Sequence, residues 1–320
     1  MFMMRLGRPR FSKGAIKRTY VDRLPKVHCK RLESSKPLRT TICSATKQRT
    51  RKMWARRARL RNSKLRVRAR YRGRARDEGM RALILAGGLG TRLRSLLNDR
   101  PKPMAQVAGK PFLEYQIEML RAHGFEDLVL CVGYLARHVQ DYFGDGRDWG
   151  VRIDYAVETE LLGTAEAIKN AQTFIAEDAF LVLNGDSYLE ADLRGLAGFH
   201  QNWRSADPQT VASVAVVATD DTSAYGKVEL DERARLLHFG EKAEASPGWI
   251  NGGVYVLEPA VLDSIPVGAA VSLEKETFPL ILEQNHHVFG YPVGGFFVDI
   301  GTPEGYRRFC RYVEEKQEAS

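Results

Sequence analysis

At 320 residues, with 44% hydrophobic and 9% aromatic content, the chain has a globular composition and the length for one large α/β domain or two smaller ones. No apolar run approaches the roughly 18 residues of a membrane-spanning helix, the basic N-terminus lacks the apolar core of a secretory signal, and Cys29, Cys43, Cys131 and Cys310 lack CxxC spacing, so free thiols and a cytoplasmic location are expected. The net charge of +10 averages two unlike segments: residues 1–79 hold 27 Lys and Arg against 4 Asp and Glu, net +23, and the remainder holds 22 against 35, net −13.

That asymmetry marks a boundary just before Met80. Residues 1–79 show no sustained helical or strand periodicity, and arginine dominates Arg49–Arg76 (RTRKMWARRARLRNSKLRVRARYRGRAR). Three readings compete: an arm that binds nucleic acid through counterion release, an Arg-rich organellar transit peptide, or a true translation start at Met80. We favour the third, because Met80 stands immediately before the first strand of the domain. None of the three implies a packed core, so a disordered basic extension is expected.

From Met80 onward, strand and helix patterns alternate in one domain, residues 80–320. Arg81–Ala86 (RALILA) reads as a buried parallel strand ending at Gly87-Gly88. Helical spacing of Phe112, Tyr115, Met119 and Leu120 predicts a helix from Pro111 to about His123, stopped by Gly124. Strands follow at 128–132, 152–157 and 180–183, with helices at 136–143 and 164–174 between them. This alternation implies a mostly parallel sheet with helices on both faces. Strands at 211–218, 226–230, 236–239 and 250–257 come next, with a hairpin turn at Asp231-Glu232-Arg233. A helix is expected near Ser272, and the last begins where Thr302 caps and Pro303 takes the first helical position.

The most informative segment is Leu83–Pro103, LILAGGLGTRLRSLLNDRPKP. Gly87, Gly88 and Gly90 let main-chain N–H groups approach a phosphate closely, and Arg92 and Lys102 add a planar fork and a point charge for its oxygens. The dinucleotide pattern GxGxxG fails because position 93 is leucine, and a P-loop fails because Gly109-Lys110 is followed by proline. A tight strand-to-helix turn with solvated charges is the bland alternative.

GGLGTRL followed by RPKPM resembles the signature of the sugar-1-phosphate nucleotidyltransferases. LGTAEAI (162–168), VLNGD (182–186), FGEK (239–242), INGGVY (250–255) and VDIGTPEGY (298–306) follow in that family's order. The resemblance spans essentially all of residues 80–320 and implies a Rossmann-like mixed sheet with a sugar-binding half, the nucleotidyltransferase fold. It implies a reaction in which a sugar phosphate oxygen attacks the α-phosphorus of a nucleoside triphosphate and releases pyrophosphate. The nucleophile is already an anion, so the site needs positioning and charge neutralisation rather than a general base.

Carried over residue by residue, the resemblance implies that Arg92, Lys102 and Asp186 form the catalytic set at the reacting phosphates. Leu85, Gly87, Gly88, Gly90, Thr91, Arg92, Glu158, Gly163 and Thr164 would line the nucleotide. Asn184, Gly185, Glu241, Lys242 and Asn251 would hold the sugar phosphate. Asp186, with Asp299 of VDIGTP as partner, would bind Mg²⁺, which favours a few carboxylates plus phosphate oxygens and water. The plainer readings are an Asx-turn for Asp186, a helix-start role for Asp299 and a solvated ion pair for Glu241-Lys242. Ala165-Glu166 stand where relatives often have glycines, and their side chains are expected to narrow the site. Glu158 would accept from N1 and N2 of guanine, favouring GTP, unless it is merely a surface glutamate at a strand end.

GTRLRSLLNDRPKPM and VSLEKETFP look most like the members that guanylylate D-glycero-α-D-manno-heptose 1-phosphate, and the length from Met80, without an appended β-helix, fits them. Mannose 1-phosphate guanylyltransferases and uridylyl- or thymidylyltransferases are the alternatives. A non-catalytic nucleotide-sugar-binding subunit on the same fold is the reading from another class, although Arg92, Lys102 and Asp186 are all present. No membrane partner is expected, nucleic acid would involve only the basic extension, and a homo-oligomer stays open. Removing residues 1–79 is expected to leave turnover unchanged. Pyrophosphate release by Met80–Ser320 beside the full chain checks this, and a truncated protein that loses its activity would restore a role for the extension.

Overall fold

The computed structural model describes residues 79–88, 90, 100–175, 178–225, 227–240, 245–268 and 270–319. All lie within Trp54–Ser320, the second of the two units into which the chain divides. The expected disorder of residues 1–79 falls outside them apart from Gly79.

Apolar runs without alternation make the first strands, because both of their faces are covered. In chain order the elements are β1 (Ala82–Leu85), a short pair β2 (Gln106–Val107) and β3 (Lys110–Pro111), α1 (Phe112–Ala122), β4 (Asp127–Val132), α2 (Ala136–Phe143) and β5 (Arg152–Val157). Next come α3 (Gly163–Asn170), β6 (Phe180–Asn184), β7 (Ser187–Leu189), α4 (Leu193–Ala206) and β8 (Thr210–Thr219). The chain continues through β9 (Lys227–Leu230), β10 (Leu236–Phe239), β11 (Gly248–Leu257), α5 (Phe278–Glu283), β12 (His287–Val293), β13 (Phe297–Asp299) and α6 (Pro303–Glu318).

Nine strands form one sheet in the order β10-β9-β11-β6-β1-β4-β5, with β8 pairing both β11 and β12. β1 is parallel to β4 and β6, and β4 is parallel to β5. β11 runs antiparallel to β6, β8 and β9, which makes the sheet mixed. Successive side chains of β1 enter opposite layers. Ile84 joins a core with Leu113, Ile117 and Leu120 of α1, Phe143 of α2 and Leu196 of α4. Leu83 joins one with Ile168 of α3, Tyr255 of β11 and Ile281 of α5. Helices therefore cover both faces, as the alternation implied. A third cluster, with Phe112, Val298, Ile300 and Phe309, seats α6.

The expected helix over 164–174 ends at Asn170 and tightens into a 3₁₀ turn, Ala171–Thr173. The helix expected near Ser272 opens instead as a wide π turn, Leu273–Thr277, before α5. Asp231 organises the predicted hairpin by accepting from the N–H groups of Arg233 and Arg235, both at 2.8 Å. Thr302 caps α6 by accepting from Gly305 N–H at 3.1 Å, with Pro303 next.

α4 packs on the sheet through a buried polar contact as well as leucines. His200, 0% exposed, lies 3.0 Å from Ser213 Oγ through Nδ1 and 3.1 Å from Glu258 Oε1 through Nε2. A carboxylate only accepts, so Nε2 carries the proton and Nδ1 accepts from the serine. Burial holds the imidazole below its ordinary pKa of 6.5, against the opposing pull of Glu258. The unfolded chain therefore takes up a proton that the folded one refuses, so His200 makes stability fall as pH drops below 6.5. His200→Gln is expected to flatten the dependence of urea unfolding between about pH 5 and pH 7, whatever it does to absolute stability. An unchanged slope would show that His200 does not set it.

Candidate functional site

Because β1, β4, β5 and β6 are parallel, their carboxyl ends share one edge of the sheet. This is where α/β folds place ligands. The turns leaving that edge carry Gly87-Gly88 after β1, Gly133 after β4, Glu158 after β5 and Gly185-Asp186 after β6. Leu85 is half-buried at the tip of β1, and its carbonyl accepts from Gly185 N–H at 3.0 Å. A side chain on Gly87 would sit 2.3 Å from Glu158 Oε1, so only glycine lets the carboxylate lie against the loop. Glu158 is half-buried, and that burial raises its pKa while the Leu162 N–H opposes the shift. Gly90 takes a left-handed conformation, φ +59°.

Lys102 enters from a 3₁₀ turn, Lys102–Met104, that is buried throughout. Its Nζ donates to Asp186 Oδ2 at 2.8 Å and stands 3.6 Å from Asp299 Oδ1. The aspartates meet because β13 pairs with β7 in antiparallel register, Asp299 opposite Ser187, and Ile300 N–H donates to the Asp186 carbonyl at 2.9 Å. Two carboxylates around one ammonium leave an excess negative charge at the sheet edge. That donor set suits Mg²⁺ completed by phosphate oxygens and water. Among the described residues, no group of three or more His, Cys, Asp or Glu side chains is placed to hold a metal ion.

Gly163 and Thr164 open α3. Gly163 has φ +74°, and a side chain there would meet the Val271 carbonyl at 2.5 Å, so the turn requires glycine. Thr164 Oγ1 accepts from Leu273 N–H at 2.7 Å and donates to Glu274 at 3.2 Å. Asn251 Nδ2 donates to Tyr255 Oη at 2.7 Å, as Asn184 Nδ2 does at 3.4 Å. The expectation that Ala165-Glu166 narrow the site meets a different geometry. Ala165 is in the core, and the buried Glu166 carboxylate accepts from Gly268 N–H at 3.2 Å, tying α3 to the loop before Ser272.

Thr91, Arg92, Glu241 and Lys242 lie outside the described residues. The structure thus brings Lys102, Asp186 and Asp299 into contact, and joins Thr164, Asn184 and Asn251 through a second set of hydrogen bonds. Sequence reasoning passed over three members of the neighbourhood. Gln116 of α1, 0% exposed, donates from Nε2 to the carbonyls of Asn184 and Ser187 and so holds the turn that carries Asp186. Its one signal is an amide on the apolar stripe of α1. Glu274 and Tyr255 stood inside VSLEKETFP and INGGVY without any role attached to them.

A sheet edge that pairs a glycine turn with a lysine–dicarboxylate cluster defines a nucleotide-handling α/β enzyme. The profile of the Nucleotidyl transferase family matches residues 81–316, and the chain belongs to that family. It is 39% identical over 229 residues to a mannose-1-phosphate guanylyltransferase of Mycobacterium tuberculosis, which covers 71% of this chain but only 62% of that protein. It is 36% identical over 233 residues to a D-glycero-alpha-D-manno-heptose 1-phosphate guanylyltransferase of Campylobacter jejuni, covering 72% of this chain and 98% of that protein. Among solved structures, HddC from Yersinia pseudotuberculosis, also solved in complex with GMP-PN, superimposes with a TM-score of 0.63. It is 32% identical and covers 73% of this chain and 99% of its own.

Replacing Lys102 with methionine leaves Asp186 and Asp299 without their shared cation. The variant is expected to melt lower than wild type by about 2–4 °C without divalent cations and to recover more of its stability in Mg²⁺ than wild type gains. Thermal melts with and without Mg²⁺ read this out, and equal Mg²⁺ responses would separate the carboxylates from metal binding.

Proposed function

We propose that the chain transfers a guanylyl group from GTP to a sugar 1-phosphate of the manno series, with D-glycero-α-D-manno-heptose 1-phosphate as the preferred acceptor. The observation that carries the nucleotide half is the Glu158 carboxylate lying against Gly87, at the edge where the triphosphate would enter. A carboxylate there accepts from both N1–H and N2–H of guanine, which no other common base offers together. The heptose reading draws on the GTRLRSLLNDRPKPM and VSLEKETFP segments and on two heptose 1-phosphate guanylyltransferases that are 36% and 35% identical to this chain. A mannose 1-phosphate guanylyltransferase is the second reading, favoured by that relative's higher identity of 39%.

The sugar phosphate oxygen forms a bond to the α-phosphorus as the bond to the β-phosphate oxygen breaks, and pyrophosphate leaves. A phosphate monoester is anionic at neutral pH, so no side chain must remove a proton. In this reading the Gly87–Gly90 turn and Arg92 cradle the triphosphate. Lys102 meets the reacting phosphates, and Glu241, Lys242, Asn184 and Asn251 hold the sugar phosphate. Asp186 and Asp299 would hold Mg²⁺, which when bound neutralises charge developing on the phosphates.

Pyrophosphate release is measured with Mg²⁺, each common nucleoside triphosphate, and heptose, mannose, glucose and N-acetylglucosamine 1-phosphates. Turnover confined to GTP with heptose 1-phosphate is expected. Preference for mannose 1-phosphate would move the chain to the second reading, and preference for another base would overturn the role of Glu158. Glu158→Gln offers guanine one acceptor and an opposing donor. It is expected to lower kcat/KM for GTP by at least about 10-fold and to narrow the preference over other triphosphates.

A further inference from the structure

A partly buried chain of hydrogen bonds, centred on the buried Tyr255, runs beneath the two sides of the site, and only one of its members is restricted to accepting. Glu274 Oε1 accepts from the Tyr255 hydroxyl at 2.7 Å. Its Oε2 accepts from Ser272 Oγ at 3.0 Å and from Thr164 Oγ1 at 3.2 Å. Hydroxyls and amides can turn either way, whereas an ionised carboxylate cannot donate. Glu274 therefore sets the direction of the bonds from Tyr255, Ser272 and Thr164. With its proton given to Glu274, the Tyr255 oxygen is left as an acceptor, and it meets Nδ2 of both Asn184 and Asn251. Burial of this tyrosine, with the nearby carboxylate of Glu274, holds its pKa well above the ordinary value, so the proton stays in place.

The amide orientations follow. Asn251 Oδ1 is turned onto Gly253 N–H at 2.9 Å. Asn184 Oδ1 is buried with no hydrogen-bond partner among the described residues. It belongs to the residue two before Asp186, at the edge where the sugar phosphate is expected. A buried carbonyl oxygen left unpaired is unfavourable by about 1–3 kcal/mol, and a ligand hydroxyl donating to it removes that penalty.

We infer that Glu274 is a positioning residue for sugar recognition: acting through Tyr255, it orients Asn184 so that its Oδ1 accepts a hydroxyl of the bound sugar. The inference rests on the reading of this edge as a sugar 1-phosphate site. Without the acceptor at position 274, the Tyr255 hydroxyl turns its proton toward Asn184 or Asn251, and their amides rotate to meet it.

The test uses the full chain and whichever sugar 1-phosphate the wild type turns over, so failure of the substrate reading appears in the wild type and failure of this inference only in the variants. Glu274→Leu is expected to raise KM for the sugar 1-phosphate by at least about 10-fold. KM for the triphosphate and kcat should move by less than about 3-fold. Glu274→Gln can keep Oε1 on Tyr255 and offer Nε2 to the two hydroxyl oxygens, so it should restore the sugar KM to within about 3-fold of wild type. Tyr255→Phe should raise the sugar KM as Glu274→Leu does, and the double variant should add nothing further. An unchanged sugar KM, equal rises in both KM values, or failure of glutamine to rescue would each overturn the inference. A ligand-free readout stands beside these: the side-chain NH₂ resonances of Asn184 and Asn251 should shift in Glu274→Leu and return in Glu274→Gln, and unmoved resonances would refute the coupling.

Discussion

The site depends on one constraint, the parallel seating of β1 between β4 and β6. Only four residues long, β1 is hydrogen-bonded in register on both sides, with Ala82 opposite Leu128 and Leu181. Parallel pairing with no slip fixes where each neighbouring strand ends relative to Leu85. The glycine turn, Glu158 and Asp186 come together because three carboxyl ends stop level with one another. Ala82, Leu83 and Ile84 have no exposed surface. A one-residue slip would exchange Leu83 and Ile84 between layers and displace the whole edge, so burial on both faces acts as the guard on site geometry.

Charge completes what register begins. Asp186 leaves β6 and Asp299 leaves β13, two elements that meet only because the small β7–β13 ribbon folds back beside the main sheet. Lys102, anchored in a buried turn, keeps the two carboxylates close in the absence of any other cation. The second network, around Tyr255, is uncharged apart from one carboxylate and serves another purpose. It transmits direction rather than attraction, and it links α3, β6, β11 and the wide turn before α5.

Much of this was legible in the residues. The apolar runs of β1, β4 and β6, the helical spacing of α1 and the Thr302-Pro303 start of α6 are local signals, and each appears where periodicity put it. The glycine turn and Lys102 were singled out as residue types suited to phosphate and the two aspartates through the family resemblance, and the structure brings Lys102, Asp186 and Asp299 into contact. What stayed hidden depends on distant partners. α4 carries two glycines and a polar histidine whose burial makes sense only once Ser213 and Glu258 face it. β12 contains Gly290 and Pro292, which read as turn residues until β8 lies alongside. Glu274 looks like one more surface glutamate in a charged stretch. Its place is decided by Tyr255, 19 positions away, and by Thr164, 110 positions away.

The mixed character of the sheet bears on how the chain reaches its folded state. β11 pairs along β8 on one side and meets β9 and then β6 on the other, so it stitches the parallel half to the antiparallel half. During synthesis β6 is complete some 60 to 75 residues before β11 can follow it, a delay of roughly 3–15 s at about 5–20 residues per second. Throughout that interval the apolar edge of β6, Phe180 to Leu183, carries unpaired backbone groups of the kind that recruit strands from other chains. The emerging polypeptide is therefore most exposed to aggregation after β6 has been made and before β11 arrives. Slow translation or overcrowded expression would act on that interval, independently of how stable the finished protein is.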